Sequence, residues 1–201
     1  MCGRVYIAPA NPELRELVKE MNRSRIAERF RNNGKEFIRA EGELFPSAVL
    51  PVIAVNKAGK KRVFPMKWGF RGRRGLLINA RTETAAEKPA FKESWEKHRC
   101  IIPVSGYFEW EHDEKKRAVK KYVLYPENNG ILWLAGLYHM ENDMPEFVIL
   151  TRPAEQCLLW MHDRMPAMLP PKAIENWILP ESNPEQIIHS CLKEVCWEQA
   201  R

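Results

Sequence analysis

The feature of this sequence that most restricts its fold is a series of seven short segments rich in β-branched and aromatic residues. Such segments, separated by turn-forming residues, are typical of strands. Turns are indicated at Gly72-Arg73-Arg74-Gly75 and Asn128-Asn129-Gly130, and no helical pattern alternates with the segments, as a parallel sheet would require. The sequence therefore predicts a mainly antiparallel sheet curled toward a barrel, with strands at residues 49–55, 77–80, 100–104, 107–110, 122–125, 131–138 and 147–151.

Helices are predicted mainly at the two ends of the chain. Asn11-Pro12-Glu13 combines a helix cap, a first-turn proline and an acidic residue, and the apolar spacing that follows predicts a helix from residue 12 to about residue 30. Asn183-Pro184-Glu185 predicts a terminal helix through Val195, after which no further strand is expected. Shorter helices are predicted at 153–161 and 173–178. Helices around a strand-rich middle define the α+β class.

The length and composition fit one globular domain. A chain of 201 residues with 45% apolar and 29% charged residues can bury a single core, so we expect one domain over residues 1–201. The start lacks a signal-peptide pattern and no apolar run is long enough to cross a membrane, which predicts a cytoplasmic protein without membrane partners. Five cysteines without CxxC spacing argue against disulfides or zinc, and no metal or organic cofactor is expected.

Positive charge is concentrated in residues 44–82, which hold nine Lys or Arg and no Asp or Glu, in a chain of net charge +6. Phe64, Trp68 and Phe70 are interleaved with these cations. Cations beside aromatic rings suit single-stranded nucleic acid, because the cations neutralise phosphates and the rings stack on bases. A solvated strand edge kept soluble by lysines explains the same pattern, so charge alone leaves both interpretations open.

Cys2 has a special chemical position. An initiator Met1 before a small residue is normally removed, which would leave Cys2 with its amine and thiol on adjacent carbons. The amine has an ordinary pKa of about 7.7 to 8 and the thiol of about 8.5, so both are accessible nucleophiles near neutral pH. Toward an aldehyde this pair forms a Schiff base and then a thiazolidine, and toward an amide the thiol attacks alone. A second-residue cysteine without any role is the third interpretation.

Three further segments carry polar groups that suit a reaction site. Residues 78–84 end a strand with Asn79, Arg81 and hydroxyls, a set of donors for a sugar oxygen or a phosphate. Glu109 lies between aromatic residues, where burial would raise the pKa of its carboxyl, although a salt-bridged structural carboxylate fits equally. His162 follows an apolar segment that Pro166 would end, and a helix C-terminus would favour its protonated form; a purely structural histidine is the alternative.

Taken together and in this order, the segments resemble the SRAP family, the SOS response-associated peptidase domain. The similarity spans nearly the whole chain. It rests on MCGR at the start, WGF at residues 68–70, NARTET at residues 79–84, RCIIP at residues 99–103, GYFEW at residues 106–110 and HDRMPAML at residues 162–169.

This resemblance implies a sensor of abasic sites in single-stranded DNA that acts in the DNA damage response. Cys2 would form a thiazolidine crosslink to the ring-opened deoxyribose, after its own thiol or an aminopeptidase has removed Met1. Asn79 would hold the terminal cysteine and the sugar, Glu109 would move protons, and His162 would assist ring opening and crosslink reversal. The remaining implied DNA contacts are Arg4, Trp68, Gly69 and Arg81 along the groove and Pro46, Trp110 and Thr151 around the pocket. A monomer, associated with the nucleoid when bound to DNA, is the expected state.

The sequence departs from many relatives at RGRRG after WGF and at Glu87-Lys88-Pro89-Ala90, which offers little to stack on a flanking base. Two other functions remain open. An N-terminal-nucleophile amidohydrolase would also begin with Met-Cys-Gly, but it would need a carboxylate-binding arginine and no groove. A non-catalytic single-stranded DNA binder would use the basic segment without Cys2.

Overall fold

The computed structural model describes residues 2–32, 40–73, 75–115, 117–128 and 130–200. In these ranges the helices are α1 (Pro12–Asn22), α2 (Arg25–Asn32), α3 (Lys92–Lys97), α4 (Ile174–Ile178) and α5 (Pro184–Ile188), with 3-10 turns at Gln156–Leu158 and Pro171–Ala173. None of the helices in these ranges has the length and apolar character needed to span a bilayer. The strands are β1 (Val5–Ile7), β2 (Gly42–Leu44), β3 (Val49–Val55), β4 (Lys61–Trp68), β5 (Phe70–Gly72), β6 (Gly75–Leu77), β7 (Asn79–Arg81), β8 (Arg99–Val104), β9 (Gly106–His112), β10 (Ala118–Tyr125), β11 (Leu132–Glu141), β12 (Met144–Pro153), β13 (Arg164–Pro166), β14 (Met168–Leu169) and β15 (Cys196–Gln199).

Five strands close into a barrel. β4 pairs with β3, β3 with β8, β8 with β11, β11 with β12, and β12 returns to β4. A ring with only antiparallel neighbours must contain an even number of strands, so a ring of five requires at least one parallel contact. That contact is the seam between β4 and β12, where Lys67 lies opposite Glu146 and Trp68 opposite Phe147. The predicted α+β class with a mainly antiparallel, barrel-like sheet is confirmed.

A second sheet brings the start of the chain to the middle of the fold. Its strand order is β15-β10-β9-β1-β2, and every pairing in it is antiparallel. In β1, Val5 lies opposite Tyr107 of β9 on one side and opposite Leu44 of β2 on the other. The first residues are therefore an inner strand of this sheet, held on both sides.

Both faces of the barrel strands are buried. Along β12, Phe147 and Ile149 belong to a cluster that also holds Tyr107 from the second sheet, whereas Val148 and Leu150 belong to the cluster covered by the helices. Alternate residues of a strand point to opposite faces, so a continuous apolar run is what a strand buried on two sides needs. Most predicted strands carry such runs, which explains why they stood out in the sequence.

The predicted terminal elements require corrections. The first helix is broken, because the hydroxyl oxygen of Ser24 accepts from the amide of Ala27 at 3.1 Å and starts α2 as a new helix. At the other end α5 stops at Ile188, and β15 follows and pairs with β10. The expected absence of a terminal strand is therefore wrong. Residues 153–161 form only a 3-10 turn, whereas the prediction at 173–178 matches α4 and the turn before it.

The strand predictions are confirmed at 49–55, 100–104, 107–110, 122–125, 131–138 and 147–151, with small shifts at the ends, while 77–80 is divided between β6 and β7. The turn predicted at Gly72–Gly75 connects β5 to β6. The turn at 128–130 keeps an Asn128 oxygen that accepts from the Gly130 amide at 3.0 Å. Arg74 and Asn129 themselves lie outside the described residues.

Candidate active site

Cys2 is buried and held by its backbone. It lies just before β1 with no exposed surface, and the Asn79 amide nitrogen donates to its carbonyl oxygen at 2.9 Å. Asn79 begins β7, which runs parallel to β12 with Asn79 opposite Ile149. The predicted pairing of Asn79 with the terminal cysteine is thus present, and it is built on the strand that closes the barrel.

Glu109 of β9 lies beside Cys2. The Phe108 amide donates to the Arg4 carbonyl at 3.0 Å, and continuing this register places Gly3 opposite Glu109. The Glu109 side chain is almost fully buried, and burial raises the pKa of its carboxyl, as the sequence predicted. Burial also raises the pKa of the Cys2 thiol strongly, and the charge of Glu109 raises it further. The site therefore places a thiol that stays protonated beside a carboxyl whose raised pKa makes it easier to protonate.

Tyr107 is a residue that the sequence reasoning missed as part of the site. It lies two positions before Glu109 on the same face of β9, it is buried, and its hydroxyl has no hydrogen-bond partner among the described residues. Burial raises its pKa well above the usual value, and the charges of Cys2 and Glu109 add to that rise. The two-residue spacing from Glu109 in GYFEW was the signal that could have identified it.

His162 is oriented by the backbone that follows it. The Arg164 amide donates to its Nδ1 at 2.9 Å, so the ring proton lies on Nε2. Burial lowers the pKa of His162, and this outweighs the Asp163 carboxylate, whose oxygen is 2.8 Å from Nδ1. The predicted protonated histidine at a helix C-terminus is therefore wrong: only a three-residue 3-10 turn precedes it, and Pro166 lies in β13 rather than at a helix end.

Arg164 connects the histidine segment to the NARTET segment. Its guanidinium binds both carboxylate oxygens of Glu83, with Nη2 donating to Oε2 at 2.9 Å, and it donates to the Thr151 carbonyl at 2.6 Å. The Arg164 side chain is only 8% exposed. This interaction fixes the two segments that carry Asn79 and His162 relative to each other.

The predicted DNA-contacting residues fall into two groups. Arg4 lies with its guanidinium 4.6 Å from the Phe45 ring centre and 4.8 Å from the Trp110 ring centre, and it pairs with Glu43 at 2.8 Å. Arg81 is exposed, and Pro46 is partly buried. These side chains lie at or near the surface, within reach of a ligand.

The second group is buried. Trp68 has no exposed surface and its indole nitrogen donates to the Ile78 carbonyl at 3.0 Å, so its ring lies in the interior, and its contact with DNA stays a prediction. Thr151 is likewise buried. Gly69 is buried with φ 114°, and a Cβ there would lie 2.4 Å from Leu76 Cγ. Its role is to let the chain pass Leu76 closely.

The basic segment is not one continuous patch. β4 is about 26 Å long at its usual rise per residue, so its two ends face different parts of the surface. Lys61 at the first end binds Glu175 of α4 at 2.7 Å. At the other end, Lys67 and Arg71 line a cavity of about 580 Å³ with the buried Glu146. Phe70, one of the interleaved aromatics, is stacked on His139 in the interior with ring centres 3.9 Å apart.

The fold and the site together define a protein with a cysteine centre near the start of its chain: a small barrel packs against a second sheet, and a buried cysteine just before the inner first strand of that sheet lies beside a buried carboxyl. Among the described residues, no group of three or more His, Cys, Asp or Glu side chains is arranged to hold a metal ion. The chain belongs to the SOS response associated peptidase (SRAP) family, whose sequence model matches residues 1–200. The resemblance seen in the motifs is thereby confirmed.

Individual relatives are similar over most of the chain. Abasic site processing protein YobE of Bacillus subtilis is 29% identical over 169 residues, which cover 76% of this chain and 77% of that protein. Abasic site processing protein YedK of Escherichia coli is 32% identical over 124 residues, which cover 58% of this chain and 55% of that protein. A crystal structure of a Bacteroides thetaiotaomicron protein has a TM-score of 0.74 at 21% identity and covers 100% of this chain and 92% of its own, which shows a shared fold.

Proposed function

We propose that this protein processes abasic sites in single-stranded DNA by forming a thiazolidine crosslink through Cys2 once Met1 has been removed. The observation that carries this proposal is the position of Cys2, with its backbone held by Asn79 and its thiol beside the buried Glu109. The names of the relatives, abasic site processing proteins, support the substrate class. The Cys2 thiol is also the proposed nucleophile for removal of Met1.

The order of the chemical steps follows from the pKa directions. A thiol whose pKa is raised by burial stays protonated at neutral pH, so the freed amine attacks the aldehyde carbon first. Glu109, with its raised pKa, gives a proton to the hydroxyl of the resulting hemiaminal, which leaves as water and produces an iminium. The Cys2 sulfur then adds to the iminium carbon, and its proton passes to the Glu109 carboxylate.

His162 supplies the preceding step. The abasic sugar is mainly a closed hemiacetal, and only its ring-opened form presents an aldehyde. A neutral imidazole with its proton on Nε2 can donate a hydrogen bond to the ring oxygen as the ring C–O bond breaks, while water carries the hemiacetal hydroxyl proton to that oxygen. A lowered pKa keeps His162 neutral. The amide of Arg164, bound to Nδ1, fixes the orientation of the ring and leaves its proton on Nε2.

The test is incubation of the mature protein with a single-stranded oligonucleotide carrying one abasic site, followed by a denaturing gel. We expect a covalent band with the wild-type protein and none with Cys2→Ala. Cys157→Ala is the matched control, because Cys157 is an exposed free cysteine far along the chain, and it should crosslink like the wild type. Cys2→Ser should give a band only after borohydride reduction, because its amine forms the Schiff base without the sulfur that closes the ring.

Other outcomes identify the other functions. A non-catalytic DNA binder gives salt-sensitive binding that Cys2→Ala leaves intact and no covalent band. An amidohydrolase gives no band and releases ammonia or amine from small amides. Intact mass of the protein from its native cell reports the first residue, and full retention of Met1 would contradict the proposed mechanism.

A further inference from the structure

Three aromatic side chains form a patch at the surface beside the candidate active site. The ring centres of Tyr122 and Trp160 are 5.1 Å apart, those of Trp160 and Trp197 are 5.2 Å apart, and those of Tyr122 and Trp197 are 5.8 Å apart. Trp160 is 44% exposed and Trp197 is 47% exposed, whereas Tyr122 is buried beneath them. We call these three residues the aromatic patch.

The aromatic patch is next to Glu109 in the fold. Tyr122 of β10 lies directly opposite Glu109 of β9, and Trp197 of β15 lies opposite Leu124 of β10. Neighbouring strands are about 4.8 Å apart, so two strand spacings, about 10 Å, separate β9 from β15. Trp160 is two residues before His162. A ligand that reaches Glu109 and His162 from the surface therefore has the patch at its side.

Hydrogen bonds occupy the polar groups of Tyr122 and Trp160 and hold these two rings in place. The Tyr122 hydroxyl donates to the Glu111 carboxylate at 3.1 Å, and the Trp160 indole nitrogen donates to the Cys157 carbonyl at 2.9 Å. What Trp160 offers to a ligand is therefore its aromatic face rather than a donor. A cation lies close by, since Lys120 is 3.5 Å from the same Glu111 and its side chain is 51% exposed.

We propose that the aromatic patch stacks the nucleobase next to the abasic sugar. An abasic nucleotide has no base of its own, so an aromatic ring can hold the damaged strand only through a neighbouring base. Fixed, half-exposed indoles are suited to this, because every base has a face on which they can stack. This inference rests on the proposed function, of which it names the neighbouring subsite.

The experiment uses a DNA ligand that cannot react. Oligonucleotides with a tetrahydrofuran spacer lack the aldehyde, so binding is measured independently of crosslinking. One ligand keeps bases on both sides of the spacer, and two others replace the 5′ or the 3′ base with a second spacer. Dissociation constants are measured by fluorescence anisotropy for the wild type, Trp160→Ala, Trp197→Ala and Trp160→Phe. Leu159→Ala is the matched control, because Leu159 is 47% exposed and adjacent to Trp160 but has no ring.

We expect the wild type to bind about tenfold more weakly when the base on one side is removed. Trp160→Ala should bind the full ligand about tenfold more weakly and should no longer distinguish it from that spacer ligand. Trp160→Phe should recover most of the difference, and Leu159→Ala should behave as the wild type. Equal losses on all three ligands, or no loss, would overturn the proposal. So would a change in oligomeric state on sedimentation with unchanged DNA affinity, since the patch would then bind a second copy of the chain.

Failure of this proposal can be told apart from failure of the proposed function. If the patch binds no base but the abasic oligonucleotide still crosslinks through Cys2, only the subsite is wrong. If no crosslink forms but the expected differences in dissociation constant are found, the patch binds DNA bases and the proposed reaction with the abasic sugar is wrong.

Discussion

Replacing Glu83 with glutamine tests whether the ion pair with Arg164 fixes the two segments of the site. Arg164 holds the pKa of Glu83 at about 2, far below its usual value, mainly through the hydrogen bonds of the guanidinium. A carboxyl with a lowered pKa stabilises the folded state above its unfolded pKa, and that contribution is lost as the pH falls toward its folded pKa. The stabilisation from Glu83 is therefore lost as the pH falls from about 4.5 to about 2.

The magnitude follows from this pKa difference. Each pKa unit corresponds to about 1.4 kcal/mol, so a shift from 4.5 to about 2 gives an upper limit of about 3.5 kcal/mol. The Glu83 side chain is 44% exposed, so solvent screening reduces the expected effect to about 1.5 kcal/mol. In the variant, Arg164 keeps its hydrogen bond to the Thr151 carbonyl, so its guanidinium does not lose all of its partners.

The assay is urea unfolding of Glu83→Gln and the wild type at a series of pH values. We expect the variant to be less stable by about 1.5 kcal/mol at pH 7, with the difference shrinking as the pH approaches the folded pKa of Glu83. Glu175→Gln is the matched control. Both side chains of the Lys61–Glu175 pair are exposed, so its loss should not change the free energy of unfolding measurably. If Glu83→Gln matches that control, or if its effect is independent of pH, the ion pair does not fix the segments.

Four other substitutions have defined outcomes. Asn79→Ala removes the donor to the Cys2 carbonyl and should lower the free energy of unfolding by about 1 kcal/mol while slowing crosslinking, as measured by urea unfolding and single-turnover gels. Glu109→Gln should slow crosslinking about 100-fold with unchanged DNA affinity, and an equal loss of both would indicate a folding role. Tyr107→Phe should raise the free energy of unfolding by about 1 kcal/mol, because it removes a buried hydroxyl without a partner among the described residues. Arg81→Ala should reduce the slope of log affinity for DNA against log salt concentration by about one. An unchanged slope would mean that Arg81 does not contact phosphate.

The strands that the sequence predicted well are those whose residues are apolar on both faces. β3 and β8 are buried along nearly their whole length, so their composition alone marks them. β4 was missed because Lys61 and Arg62 are exposed and Pro65 interrupts the pattern. Pro65 lies opposite Pro51, and in the described register neither proline pairs with the strand on its other side, so the missing amide protons leave no gap in the sheet.

The sequence named several residues that the structure brings together, and it predicted the direction of the pKa shift correctly for Glu109 but not for His162. The resemblance named Cys2 and Asn79, and the structure joins them by a hydrogen bond. The pKa of His162 was predicted in the wrong direction, because the apolar residues before it were interpreted as a helix. A three-residue turn has too few aligned peptides to stabilise a cation, so burial decides the protonation state. Such an outcome depends on tertiary packing and is not encoded in local spacing.

The strand that forms the parallel seam of the barrel also positions two segments of the candidate site, so assembly of the site depends on long-range strand pairing. β12 completes the ring by meeting β4, some eighty residues earlier, and the same strand supports β7 with Asn79 and β13 just after His162. Contacts between such distant stretches are slow to form, since a long loop must be ordered first. A nascent or partly unfolded chain therefore carries Cys2 without the hydrogen bond from Asn79, which forms only when these strands have come together.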